Sequence, residues 1–392
     1  MTEEFHPPAR ILMGPGPSNV DPRVLLAQAK PLLGHLDPEF FKVMNNVQDL
    51  LRYVFGTQNA HTIPISGTGS AGMDAAFVNL VEPGDRVLVC IQGFFGGRMA
   101  DVAERCGANL RTLSAPWGRP FDLADVEKEL RSFQPKVLAI VHAETSTGVL
   151  QPLEEFPKIL KSHPETLLLV DTVTSLGGHP VKVDEWGIDI CYSGSQKCLG
   201  APPGLAPVTF SPKALKKIKG RSKKVQSLYL DINMLGEYWG SERAYHHTAP
   251  ISMNYALLEA LRIIREEGLE RRYERHHRNH LALVQGIEAM GLSMLVEKPH
   301  RLWSLNAVSI PAGIDDVKVR KKLLEEYNLE IGGGLGNLKG KIWRVGLMGY
   351  SSSKTNVIYF LTALEQTLRE QGFEVPRGAG ATAAREFYSR AQ

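Results

Sequence analysis

Apolar positions along this chain repeat with two different periods. Residues 42–55 carry theirs at helical spacing, and a second helical pattern covers 71–81, closed by Glu82-Pro83-Gly84-Asp85. Between and after these lie short runs: Thr62–Ser66, Arg86–Ile91, Val137–Val141, Leu167–Val170 and Ile188–Tyr192. Most are nearly apolar on both faces and rich in β-branched residues. Such runs, separated by helical patterns, predict a mostly parallel sheet covered on both sides, with right-handed crossovers. In such sheets ligands bind beyond the carboxyl ends of the strands, so chemistry is sought there.

The second half reads differently. One long helical stretch is predicted over 252–290, with a heavily charged centre, Arg271–His280, that reads as a solvated face. A strand over Ala307–Pro311, a helix over 315–327, a glycine-rich loop Gly332–Gly336, a strand over Ile342–Leu347 and a helix over 355–371 then suggest a smaller α+β domain. The expected division is an N-terminal arm and substrate loop over 1–20, a large domain over 21–282 and a small domain over 283–392.

Length and composition fit that division. At 392 residues the chain accommodates one large and one small domain. The 43% hydrophobic and 22% charged content is ordinary for a globular protein. A net charge of +3 singles out neither a nucleic-acid nor a membrane partner. The basic run Lys213–Lys224 follows a Ser-Pro helix start and reads as a surface helix and loop. Four scattered cysteines make no disulfide framework and no CxxC zinc motif; Cys90 and Cys191, inside apolar runs, read as core thiols. Met1–Arg10 has no apolar signal region, Arg390-Ala391-Gln392 is not a peroxisomal address, and no run is long enough to span a membrane, so a cytoplasmic location is expected.

Three strand ends carry candidate chemistry. Gly67-Thr68-Gly69-Ser70-Ala71-Gly72 follows a strand and opens a helix, where backbone N–H groups suit a phosphate. It matches GxGxxG literally, but the next strand ends in Cys90-Ile91-Gln92, without the acid that a nicotinamide dinucleotide needs for its ribose. Leu167–Val170 runs into Asp171. Ile188–Tyr192 runs into Ser193-Gly194-Ser195-Gln196-Lys197, where partial desolvation would push the lysine toward a nucleophilic amine. A lysine for an aldehyde, an acid for a pyridinium nitrogen and a cradle for a phosphate are what pyridoxal 5'-phosphate requires. Against these stand blander readings: Asp171 as a helix cap, Lys197 as an exposed loop lysine, Arg344 as a surface ion pair. The neighbours His246 and His247 would face opposite ways on a strand and make a poor metal chelate.

With these motifs the chain resembles the alanine–glyoxylate and serine–glyoxylate (serine–pyruvate) aminotransferases of pyridoxal phosphate fold type I, the class V aminotransferases. The resemblance runs from Met13-Gly14-Pro15-Gly16-Pro17-Ser18-Asn19, through Ser193–Lys197 and Tyr245-His246-His247-Thr248, to Trp343-Arg344-Val345-Gly346. It implies an α/β fold with a seven-stranded, mostly parallel sheet and a smaller C-terminal α+β domain. It implies Lys197 as the Schiff-base lysine and proton shuttle, and Asp171 as the partner of the ring nitrogen. Val173 and Phe95 would flank the ring; many members of the family have tryptophan at the latter position. Thr68, Gly69, Ser70 and Gln196 would hold the phosphate, and Thr145 would sit by the phenolic oxygen. Tyr245 and Thr248 would reach the phosphate of the neighbouring subunit in a homodimer. Arg344, helped by Gly16 in the Gly14–Pro17 loop, would clamp the substrate carboxylate.

The implied reaction moves an amino group from alanine or serine to glyoxylate by a ping-pong route. Ureidoglycine–glyoxylate or aspartate transamination on the same fold are alternatives, as is, more remotely, a lyase or cysteine desulfurase. Desulfurases usually place histidine before the lysine, where this chain has Gln196. The pocket around Gly16, His35 and Tyr245 is expected to choose the donor. The stretch 372–392 resembles the serine–glyoxylate enzymes, whereas Tyr245–Pro250 looks more like the alanine–glyoxylate ones.

Overall fold

A computed structural model describes residues 4–390; Met1–Glu3 and the terminal Ala391-Gln392, part of the stretches read above for targeting signals, lie outside it. Seven strands form the central sheet: β1 (His61–Ser66), β2 (Arg86–Ile91), β3 (Asn109–Ser114), β4 (Val137–Val141), β5 (Leu167–Asp171), β6 (Ile190–Tyr192) and β7 (Leu205–Phe210). Their spatial order is β1-β7-β6-β5-β4-β2-β3. Neighbours from β6 through β3 pair in parallel, while β7 runs antiparallel to both β6 and β1.

Period-two alternation sorts the sheet residues between two cores. Val137, Ala139, Leu167, Leu169 and Ile190 enter one, and Leu138, Ile140, Leu168, Val170 and Cys191 the other. The same parity brings Val141, Asp171 and Tyr192 to one side of the sheet at its carboxyl edge, in direct register (Val141 opposite Asp171, Asp171 opposite Tyr192). The site's position therefore follows from strand length and alternation.

Two crossover helices begin at that edge. Helix α1 (Gly69–Leu80) follows β1 and α2 (Phe94–Arg105) follows β2. The small domain is a three-stranded antiparallel sheet, Leu305–Ser309, Ile342–Gly346 and Gly332–Gly333, packed with helices Asp316–Tyr327, Lys354–Glu370 and Ala379–Arg390. The N-terminal arm belongs to this side: Ile11–Leu12 pairs in parallel with Leu329–Glu330, and Met13 is buried in the small-domain core.

The long helical stretch predicted over 252–290 is two helices, α3 (Ile251–Glu267) and α4 (Leu269–Ala289), broken at Gly268 with φ of 81°. Its charged centre is a solvated face on one side only, with Arg271 and Glu274 exposed. Arg272, His276, Asn279 and His280 are buried. Each finds polar partners: Arg272 on the Gly177 and Cys198 carbonyls and Glu267, His276 on the Arg272 carbonyl and the Gly349 N–H, Asn279 on the Ser352 and Tyr388 hydroxyls, His280 on Asn306. This face of the charged segment is thus internal because it packs between the turns carrying Gly177 and Cys198 and the residues around Asn306 and Gly349. His246 and His247 lie in a loop rather than a strand, so the rings turn toward each other, with Nδ1 to Nδ1 at 2.8 Å. Among the described residues no cluster of three or more His, Cys, Asp or Glu is placed to hold a metal, and no helix is long and apolar enough to cross a membrane.

Candidate active site

A cleft with about 530 Å³ of empty space opens at the carboxyl ends of β1, β4, β5 and β6. Thr68, Gly69, Ser70, Phe95, Thr145, Asp171, Val173, Gln196 and Lys197 line it together. Sequence reasoning singled out all nine. Tyr192, Met73, Val141 and Ala143 line it as well and were not anticipated.

Asp171 ends a strand whose every residue is buried. Its Oδ1 accepts the Val173 N–H at 2.8 Å and its Oδ2 the Tyr192 hydroxyl at 2.8 Å. Burial pushes the carboxyl up to about 7 against the pull of these donors and of Lys197. The bond from the Val173 N–H holds that residue against the cleft, so Asp171 does locally what a cap does while its carboxylate still lines the cavity.

Lys197 is 8% exposed, not a loop lysine in water. Burial, reinforced by the positive Arg344, lowers its ammonium to about 8. Its Nζ donates to the Pro15 carbonyl. The Gly14–Pro17 loop is tied down on both sides: the Gly346 N–H donates to Met13, and the Ser18 N–H to the Gln196 carbonyl at 3.0 Å. Gly16 sits against the lysine side chain, at φ of 101°, where a Cβ would fall 2.7 Å from Nζ.

Thr68 is the N-cap of α1, yet its side chain caps no N–H of its own helix. The helix start and the hydroxyl thus face the cleft together. Gln196 lines the same end of the cleft, and its Oε1 is buried without a hydrogen-bond partner, so its amide is free to turn its NH2 group toward an anion.

Arg344 is buried in the middle strand of the small sheet, where Nε donates to the Gly333 carbonyl at 2.7 Å and Nη1 to the Thr145 carbonyl at 3.4 Å. Among the described residues it makes no ion pair. Burial lowers it to about 10, with Glu144 as the opposing negative charge, so it stays a guanidinium near neutral pH. Gly332 lies beside it, where a Cβ would sit 3.6 Å from Nη2 and closer still to Pro15. The glycine-rich loop thereby leaves room where the arginine faces Pro15.

Two predicted residues are elsewhere. Tyr245 and Thr248 are exposed and take no part in the cleft of their own chain; Tyr245 stacks at a tilt on His35, with ring centroids 5.4 Å apart.

A buried lysine, a buried acid and a helix start converge on one cleft, and the rest of the chain matches known proteins over its whole course. The family model for aminotransferase class-V matches residues 24–351. The chain belongs to the class-V aminotransferases. This aminotransferase is 42% identical to the alanine–glyoxylate aminotransferase of Callithrix jacchus, over 92% of this chain and 88% of that protein. The solved alanine–glyoxylate aminotransferase from a Nostoc species is 52% identical, covers 94% of this chain and 98% of its own, and superposes with a TM-score of 0.93. The ureidoglycine–glyoxylate aminotransferase from Bacillus subtilis is 41% identical, with a TM-score of 0.97 over 99% of this chain and 100% of its own. The expected transaminase and the fold type I architecture are thus both borne out. Membership implies pyridoxal phosphate as the aminotransferase's cofactor, and the cleft suits it: an open helix start with the Thr68 hydroxyl at one end, a carboxyl at the strand edge and a lysine amine opposite.

Proposed function

We propose that the chain transfers an amino group from a small amino acid, alanine or serine, to glyoxylate in two half-reactions. One observation carries this reading. Lys197 and Asp171 are buried at the ends of neighbouring strands in one cleft, with the unpaired guanidinium of Arg344 near the Pro15–Gly16 turn that touches Lys197. Thr68, Gly69, Ser70 and Gln196 would hold the cofactor's phosphate, Asp171 its ring nitrogen, Phe95 and Val173 its faces, and Thr145 its phenolic oxygen. When bound, pyridoxal phosphate supplies an aldehyde for the amino group and a ring that accepts the electrons left at Cα.

The protein's own part is proton handling and orientation. Lys197, lowered to about 8, is neutral often enough near neutral pH for Nζ to take the donor's Cα proton. Asp171 keeps a proton on the ring nitrogen by hydrogen bonding, and Tyr192 holds Asp171. Arg344 receives the carboxylate common to donor and acceptor, for which its planar fork is suited. Cys198 is fully buried with its thiol on the Thr174 carbonyl, a poor position for the mobile thiol of a desulfurase.

The working unit in this reading is a homodimer. Tyr245 and Thr248, outside their own cleft, would reach the neighbour's phosphate. Exposed Leu25, Leu26, Leu32, Leu36 and Leu228 offer the apolar surface such a pairing would bury.

Ureidoglycine as donor is the second reading, favoured by the match to the Bacillus subtilis enzyme along almost the entire chain. A half-reaction panel separates them: absorbance of the loaded enzyme is followed with alanine, serine, ureidoglycine and aspartate in turn. Fast conversion by alanine or serine supports the first reading. Conversion by ureidoglycine alone supports the second, and conversion by aspartate alone refutes both.

A further inference from the structure

Helix α2 begins with Gly93 at its N-cap, a residue with no side chain to satisfy the first N–H groups. A distant carboxylate does so instead. Glu144, fully buried on the short strand Ala143–Glu144, accepts the N–H of Phe95 at 3.1 Å and of Gly96 at 3.2 Å on Oε2. Its Oε1 accepts the Ser146 N–H at 3.1 Å and hydroxyl at 2.6 Å, and Ser146 Oγ in turn accepts the Phe94 N–H at 2.9 Å. The glycine is required by this arrangement: a Cβ at position 93 would fall 2.5 Å from both Glu144 Cδ and Ser146 Oγ.

Each Glu144 oxygen thus holds two donors and has no capacity left for a third strong partner. Burial pushes the carboxyl up, while the four donors pull it back toward the anion, which the helix N-terminus also favours. This explains how a buried acid can lie close enough to influence Arg344 and Asp171 without occupying the donors of Arg344. The chain after Glu144 continues into Thr145, whose carbonyl takes Arg344 Nη1. One carboxylate therefore fixes the start of the helix bearing Phe95 and the turn bearing Thr145.

We propose that Glu144 is a positioning residue: through the N–H groups of Phe95 and Gly96 it holds the Phe95 ring as a wall of the cofactor cleft. The inference rests on pyridoxal phosphate occupying that cleft. Glu144 itself does not line the cleft, and it acts on the cofactor through Phe95.

The test is a double-mutant cycle read by equilibrium binding of pyridoxal phosphate, with Glu144→Gln, Phe95→Leu and the pair together. Glu144→Gln should weaken binding about tenfold or more, as loss of hydrogen bonds to a buried charged acceptor would. On the Phe95→Leu background the same change should weaken it little further. In the cofactor-free protein the amides of Phe95 and Gly96 should exchange faster in Glu144→Gln than in wild type. If Glu144→Gln does not fold, Ser146→Ala replaces it, with a smaller shift in the same direction that also vanishes beside Phe95→Leu. Unchanged affinity, or two effects that simply multiply, overturns the inference. A wild-type protein that takes up no pyridoxal phosphate overturns the cofactor reading beneath it, a result distinct from either.

Discussion

The Tyr192 hydroxyl donates to Oδ2 of Asp171 at 2.8 Å, across a register pairing of two adjacent parallel strands. The bond is fully buried and its acceptor is an acid that burial already pushes up to about 7. Removing it takes away one of the donors that favour the carboxylate. Tyr192→Phe should raise Asp171 further and loosen the cofactor by roughly tenfold or more, as for a lost bond of about 1.5–3 kcal/mol to a charged group. Equilibrium titration with pyridoxal phosphate checks this, and the acidic limb of the activity profile should move to higher pH.

Arg344→Lys keeps the charge and loses the planar fork. The lysine cannot both hold the Gly333 carbonyl and present two parallel donors. Steady-state kinetics should show KM for the amino donor rising on the order of tenfold to a hundredfold, with a smaller fall in kcat. Equal falls in kcat and kcat/KM would place Arg344 in the chemical step instead.

Gly16→Ala tests the loop that covers the lysine. The glycine sits at φ of 101° and a Cβ would meet Lys197 at 2.6–2.9 Å. Backbone strain of about 1–2 kcal/mol adds to that clash. Thermal unfolding should change modestly while turnover falls steeply; full activity would mean that the loop moves freely away from Lys197.

Its buried histidines should make the protein sensitive to acid. His142 is held at about 3 and His280 at about 4 by burial, and His179 and His276 lie well below the ordinary 6.5. Folded values below unfolded ones mean that the unfolded chain binds protons first as pH falls. The associated stability is fully present above pH 6.5 and is lost progressively below it, as the unfolded chain takes up the protons that the buried rings refuse. Urea midpoints measured from about pH 7.5 down to about pH 5 should hold level above pH 6.5 and fall below it; a profile flat throughout contradicts the burial of these rings.

The site was legible where apolar runs end in polar residues. Leu167–Val170 before Asp171, and Ile188–Tyr192 before the turn to Lys197, announce themselves because a buried strand has nowhere else to expose a functional group. Strand β7 was not legible: Pro207 interrupts its pattern, and it lies directly opposite Pro64. Helix Ala379–Arg390 hides for another reason. Its small residues let it approach α4 closely, with Gly380 against Met290 and the Gly286 carbonyl, so little apolar periodicity marks it. Glu144 and the buried half of α4 could not be read from local pattern, because their partners come from elements far away in the chain.

Lys197→Ala tests the central claim most directly. With alanine and glyoxylate supplied in excess, multiple turnover should vanish while the variant still folds and still takes up pyridoxal phosphate. Turnover close to that of the wild type would contradict the assignment of Lys197 and, with it, the proposed reaction.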